Sequence, residues 1–190
     1  FAATRSAIVQ IATDTGDDPA NRYTAGEGRT KHDAIKRAAA FAVAPVSGEQ
    51  SSGNGSVAAD PFVASLRRYY EMNDDEAPRW VDTLAADRLR YAGMHTAITV
   101  MTPVVDNDAE QIVYEPIPSG ERHYFEARDP VTVRVDHRLN LGVPYVNRIF
   151  ADGSHAGSAE RFIELDADYT LPLEGIRDEL PPQPTVPRTP

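Results

Sequence analysis

The sequence predicts an α+β domain, with N-terminal helices packed on one face of an antiparallel sheet of about three to five strands. Three observations carry that expectation. Apolar residues recur with helical spacing up to about residue 92, and from residue 96 the repeat shortens to two. Segments 96–104, 129–139 and 161–171 each present one apolar and one polar face, as expected of a sheet covered on one side. The length of 190 residues suits one domain that hides roughly two thirds of its unfolded surface.

The first helix is expected over residues 1–13, with Phe1, Ile8, Ile11 and Ala12 on one stripe. Asp14-Thr15-Gly16 and then Pro19 stop it, but no capping residue precedes Phe1. A helix with a stop and no start reads either as the lower part of a longer helix or as an ordinary frayed end. Residues 14–29 form a polar connection. Thr30 takes the place of an N-cap, with Asp33 three residues on. Ile35, Ala38, Ala39, Ala42 and Val43 give the next helix its apolar face, and Pro45 ends it. Residues 46–60 are Gly/Ser-rich and read as a flexible loop. A short helix is expected over 61–72. A clearer one follows from Pro78 to about Ala92, striped by Val81, Leu84, Ala85, Leu89 and Ala92 and closed by Gly93.

In the second half, Val131, Val133 and Val135 alternate with Thr132, Arg134 and Asp136. Ile163, Leu165, Ala167, Tyr169 and Leu171 alternate with Phe162, Glu164, Asp166 and Asp168. Residues 96–102, 131–138 and 162–170 are expected to be antiparallel neighbours. Segments 111–115 and 122–127, joined through Pro118-Ser119-Gly120, read as an added hairpin. The last ten residues, 181–190, hold five prolines and read as an extended tail. The organisation is thus a helix end at 1–13, one α+β domain at 14–180 with its loop at 46–60, and the tail at 181–190.

Composition narrows the function. Net charge is −10, the pI is about 4.9 and the basic residues form no cluster, which argues against nucleic acid as partner. With 41% apolar residues, a mean hydropathy of −0.43 and no long apolar run, the chain as it stands carries no membrane span. Seventeen arginines stand against two lysines, Lys31 and Lys36. There is no cysteine, so disulfides, thiolate metal sites and cysteine nucleophiles are excluded. No signal peptide is visible.

Chemistry-bearing motifs are absent. Gly26-Glu27-Gly28-Arg29-Thr30 lacks the spacing of a phosphate loop, no serine sits in a nucleophile elbow, and no histidine pair has metal-ligand spacing. His137 is read as a solvated residue on the polar face of its strand, and His95 as half-buried just before a strand. Glu164, Asp166 and Asp168 share a strand face that a neighbour would bring near Asp136. Calcium favours such oxygens, but side chains two apart on a strand are about 7 Å apart, and a solvated acidic face is the simpler reading. The expectation is therefore no catalytic residue, no metal ligand and no cofactor.

Residues 139–150 stand out as an apolar connection: Leu139, Leu141, Val143, Tyr145, Val146, Ile149 and Phe150. Either the segment folds under the sheet as core, or it docks on a partner subunit or membrane interface with Tyr145 and Arg148 at the boundary. The candidate interface comprises Phe1, Ile8, Ile11, Leu141, Val143, Tyr145, Val146, Ile149 and Phe150.

The order of these elements carries a resemblance. An alanine-rich helix end (Ala2-Ala3-Thr4-Arg5-Ser6-Ala7) and a second alanine-rich helix precede Arg88-Leu89-Arg90-Tyr91-Ala92 and Thr96-Ala97-Ile98-Thr99-Val100. Val131-Thr132-Val133-Arg134-Val135, the Pro-containing Val143-Pro144-Tyr145-Val146 and a last strand at 161–171 follow. Over most of residues 1–171 the chain resembles the soluble part of TadE/TadG-like pseudopilins of tight-adherence pili. The resemblance implies a pilin-like head without catalytic residues. It also implies an extracytoplasmic place in the cell envelope or a surface filament, with other pilus or envelope subunits, or further copies, as partners. Membrane contact would come through an apolar helix upstream of Phe1. The alternative is an adhesin-like extracytoplasmic module that binds a surface ligand or protein; a small hydrolase is the third reading and has no motif behind it.

Overall fold

The computed structural model describes residues 1–47, 61–72, 76, 78, 81, 86–106, 111–140, 151–154 and 161–173. Its elements run in chain order as helix α1 (Ala2–Ala12), strand β1 (Arg22–Thr24), helices α2 (Thr30–Val43), α3 (Pro61–Met72) and α4 (Ala86–His95), then strands β2 (Thr96–Asp106), β3 (Gln111–Pro116), β4 (Arg122–Tyr124), β5 (Pro130–Asn140), β6 (Gly153–Ser154) and β7 (Arg161–Pro172). The protein is α+β, with two antiparallel sheets: a five-stranded one ordered β3-β2-β5-β7-β6 and a two-stranded one, β1-β4.

Segments 96–102, 131–138 and 162–170 are adjacent antiparallel strands, as their alternation predicts. The register sets Ile98 opposite Val135 and Val100 opposite Val133, and continues with Val131 opposite Leu171. One face of the pleat therefore carries all of these residues. Ile98, Val100, Val131 and Val133 share a buried cluster with Ala3, Ala7 and Ile11 of α1 and Ile35 and Ala39 of α2. Small residues on both helices allow this close approach.

The phase of the β2–β3 ladder follows from the Ile117 N–H, which donates to Val100 O at 3.0 Å. Even-numbered residues of β2 thus turn their backbone groups toward β3 and odd-numbered ones toward β5. The next rung after Met101–Thr132 would join Pro103 to Pro130, neither of which has an N–H to give. The β2–β5 pairing ends there.

Several sequence expectations are corrected. The stretch 111–124 forms no hairpin of its own: β3 joins β2, whereas β4 pairs with β1 in the second sheet. Ile117, 8% exposed, dives into the core and separates the two strands. Thr30 lies inside α2 instead of capping it; the Thr30 N–H donates to Asp17 Oδ2 at 3.1 Å, so the cap comes from the preceding connection. On α2, Lys31 and His32 are buried with Ile35 and Ala39, while Ala42 is exposed. Gly93 does not close α4, which runs on to His95 and passes directly into β2. Leu84, Ala85, the Gly/Ser-rich stretch 48–60, the connection 141–150 and the tail 181–190 lie outside the described residues.

On β7 the expected division of faces holds only in part. Phe162 is buried on the side assigned as polar, while Leu165 and Tyr169 are 45% and 46% exposed on the side assigned as apolar. The start of α1 reaches that strand. Thr4 Oγ1 donates to Tyr169 O at 3.2 Å, and the Phe1 ring meets the Tyr169 ring edge-on at 5.4 Å.

Candidate functional site

The connection between α1 and α2 is a packed polar knot instead of a loose loop. Lys31 is fully buried, and its ammonium donates to three backbone carbonyls: Arg22 O at 2.7 Å, Pro19 O at 2.8 Å and Ile11 O at 3.0 Å. One cation thereby ties the C-terminal end of α1, the turn after it and β1 to α2. Burial pulls the Lys31 ammonium below its ordinary pKa, and Asp18, Asp14 and Asp17 oppose that shift. Asp18, 1% exposed, accepts from the Thr24 N–H at 2.8 Å and from Thr24 Oγ1 at 2.7 Å. Arg122 on β4 reaches the same carboxylate at 3.5 Å, which anchors the small sheet.

Two buried histidines hold α2 from its two ends. At the first, Tyr23 Oη lies 2.7 Å from His32 Nδ1. Burial lowers the His32 pKa and pushes the Tyr23 hydroxyl well above the usual tyrosine range, so both stay uncharged near neutrality. At the other end, His137 lies between Thr96 Oγ1 at 2.9 Å from Nδ1 and Ser47 Oγ at 3.1 Å from Nε2. Burial lowers its pKa, partly opposed by a hydrogen bond to the His95 backbone. His137 is 3% exposed and shares a face with Val131, Val133 and Val135. The expectation of a solvated position is corrected by strand parity, because residue 137 continues the odd-numbered apolar set. His95 is half-buried as expected, with its ring 4.3 Å from that of Tyr91.

The acidic strand residues do converge. Asp136 stands opposite Asp166, Arg138 opposite Glu164 and Arg134 opposite Asp168. Arginines thus interleave with the carboxylates, and Arg138 Nε pairs with Glu164 Oε1 at 3.1 Å. Burial, reinforced by Asp166 and Glu164, raises the Asp136 pKa, while Arg134 opposes it. This charged face contributes to the wall of a cleft of about 510 Å³ that also includes Lys36, Glu27 and His95. Among the described residues, no group of three or more His, Asp or Glu side chains is placed to hold a metal ion. The cleft offers charges of both signs.

Of the nine candidate interface residues, Phe1 is 64% exposed, Ile8 is half-buried and Ile11 is fully buried in the chain's own core. Leu141, Val143, Tyr145, Val146, Ile149 and Phe150 lie outside the described residues. Sequence reasoning missed Lys31, whose signal was its rarity: where arginine is the default cation, a lysine marks a place that needs a compact three-donor head. No protein-family model matches the chain, and no curated protein or solved structure matches it.

Proposed function

We propose that the chain is a non-enzymatic assembly subunit of a bacterial surface pilus or envelope-anchored filament, built as a TadE/TadG-like, pilin-like head with its N-terminal helices on one face of the sheet. The observation that carries this reading is the mounting of α1. Ala3, Thr4, Ala7 and Ile11 lock it to the head, while Val9 stays 59% exposed on its other side and Phe1, 64% exposed, sits at the rim against Tyr169. A helix welded to a head along one side, with Phe1 and Val9 still exposed, is suited to packing against a neighbouring subunit. In this reading Phe1 and Ile8 meet a neighbour together with the apolar stretch 141–150, and the head faces outward from the envelope. Among the described residues no helix is long and apolar enough to cross a membrane, so attachment is assigned to contacts with other subunits or to an upstream helix.

The test is incorporation in cells. A tagged chain should co-purify with envelope or sheared filaments, and replacing Ile149 and Phe150 by Ser should abolish incorporation with an unchanged circular-dichroism spectrum. A tagged chain found only as a free cytosolic monomer would sink the proposal. The mixed-charge cleft favours one second reading, an adhesin-like module that grips a ligand carrying both charge signs. Direct binding by a monomeric head, lost on Arg134→Ala, would select it.

A further inference from the structure

The two edges of the large sheet are finished differently. On β7 the outward-facing backbone positions are the even-numbered ones, given the β5–β7 register and the phase set by Val100. The first, Phe162, pairs with Gly153 of β6. The N–H of Glu164 donates to the Asp152 side chain at 2.9 Å. The next two are Asp166 and Asp168, whose charges discourage strand addition, and Pro172 ends the row. That edge is closed or guarded from Phe162 to Asp168, which leaves Thr170 as the one even-numbered position without such protection before Pro172.

The β3 edge carries no such protection where it counts. Because 102–115 and 104–113 are the hydrogen-bonded pairs with β2, the N–H and C=O groups of Ile112 and Tyr114 point away from the sheet. Among the described residues, nothing pairs with them. The same two residues carry exposed apolar side chains, 64% and 42%, and Val105, the cross-strand partner of Ile112, is 63% exposed on the same face. Pro116 lacks an N–H and closes the open stretch.

The geometry points to antiparallel pairing of β3 with β3 of a second copy of this chain, about a two-fold axis through Val113. The register is self-complementary. Ile112 of one copy falls opposite Tyr114 of the other, and these are the two residues whose backbone groups are open, so two rungs form at once. Their side chains then join the two Val105 residues in one apolar strip. Charge complementarity agrees: in this register Glu115 faces Gln111 of the second copy, so no like charges meet, although each chain carries −10. A slip by two residues would break both matches. The inference rests on the edge alone and does not depend on the pilin-like reading.

Val113 tests it, because the chain has no cysteine of its own. At the axis the two Val113 residues form a non-hydrogen-bonded pair, with Cα atoms about 4.5 Å apart, inside the roughly 4.4–6.8 Å range of disulfides. Val113→Cys should therefore oxidise to a covalent dimer as the main species. Val105→Cys, in the same strip but at least three strand spacings (roughly 14 Å) from its twin, should give only a trace. In the unmodified chain, the Ile112 and Tyr114 amides should become protected from hydrogen exchange as concentration rises, and more so at higher salt, which screens the repulsion. Equal cross-linking of both variants, or none in Val113→Cys, overturns the proposal. So do Ile112 and Tyr114 amides that exchange freely at every concentration.

Discussion

Lys31 gathers three backbone carbonyls around one side chain. The carbonyls of Ile11 and Pro19 already accept from the N–H groups of Asn21 and Arg22, and the ammonium adds a second donor to each while also serving Arg22 O. Lys31→Met keeps the apolar stem and removes the donors. Losing three hydrogen bonds from a charged donor, with Arg22 O deprived of its side-chain partner, should cost about 2–3 kcal/mol, read as a lower urea midpoint at unchanged m-value. Lys31→Arg keeps the charge, but its flat fork cannot place donors on three converging oxygens, so it should also destabilise, by roughly 1–2 kcal/mol. An arginine variant as stable as the parent would show that charge, not head-group shape, is what the knot requires. This knot was illegible in advance because it depends on contacts between residues 9 to 20 positions apart. The same holds for Asp18, one of several acidic residues in a polar stretch until the fold buries it against Thr24.

Elements whose own periodicity meets a partner of matching period were legible: α1, α2, α3, β2, β5 and β7 fall where the spacing put them. Elements that exist through a distant partner were not. β1 and β4 are three residues each and owe their extended form to each other, which no local pattern announces. α4 overrides the stop expected at Gly93, since Tyr91 and Ala92 are fully buried and the Tyr91 hydroxyl donates to Arg138 O at 2.9 Å. β6 is the smallest case, held by Gly153 opposite Phe162. A Cβ at Gly153 would sit 2.7 Å from the tip of the Phe162 ring, which is itself buried under the Arg138 guanidinium at 4.9 Å. Gly153→Ala should push that ring aside at a cost of about 1 kcal/mol or more. The expected signs are a lower melting temperature and faster exchange at the Asp152 amide, which donates to Phe162 O. The α2–α4 contact offers a parallel check, because Ala40, Ala44 and the fully buried Ala92 meet in one cluster. Ala92→Leu should destabilise by about 1–3 kcal/mol.

For the whole molecule, a net charge of −10 suggests that mild acid should relieve repulsion and stabilise the fold. The buried histidines argue for the opposite. Buried His32 and His137 and half-buried His123 all have folded-state pKa values lowered by desolvation, so as pH falls below roughly 6.5 the unfolded chain takes up protons before the native one does. Stability from these three is fully present above about pH 6.5 and drains as pH falls below that value, at up to about 1.4 kcal/mol per pH unit for each. The carboxylates act later. Asp17, held at about 2 chiefly by the Thr30 N–H, and Glu27, lowered by Lys36, lose their contribution only as pH falls below the ordinary carboxylate range. Asp136, raised by burial, has the reverse sign and acts above the ordinary carboxylate value, where its protonation favours the fold. Urea midpoints should therefore stay level from pH 7.5 to about 6.5 and then fall toward pH 5. His137→Gln isolates one contributor: it can still reach Ser47 or Thr96 but cannot take up a proton. It should lower stability at pH 7.5 by about 1–3 kcal/mol and flatten the slope between pH 6.5 and 5. A parent chain whose midpoint is level or rising over that range would mean that relief of the acidic surface outweighs the histidines. A variant with the parent's slope would remove His137 from the set.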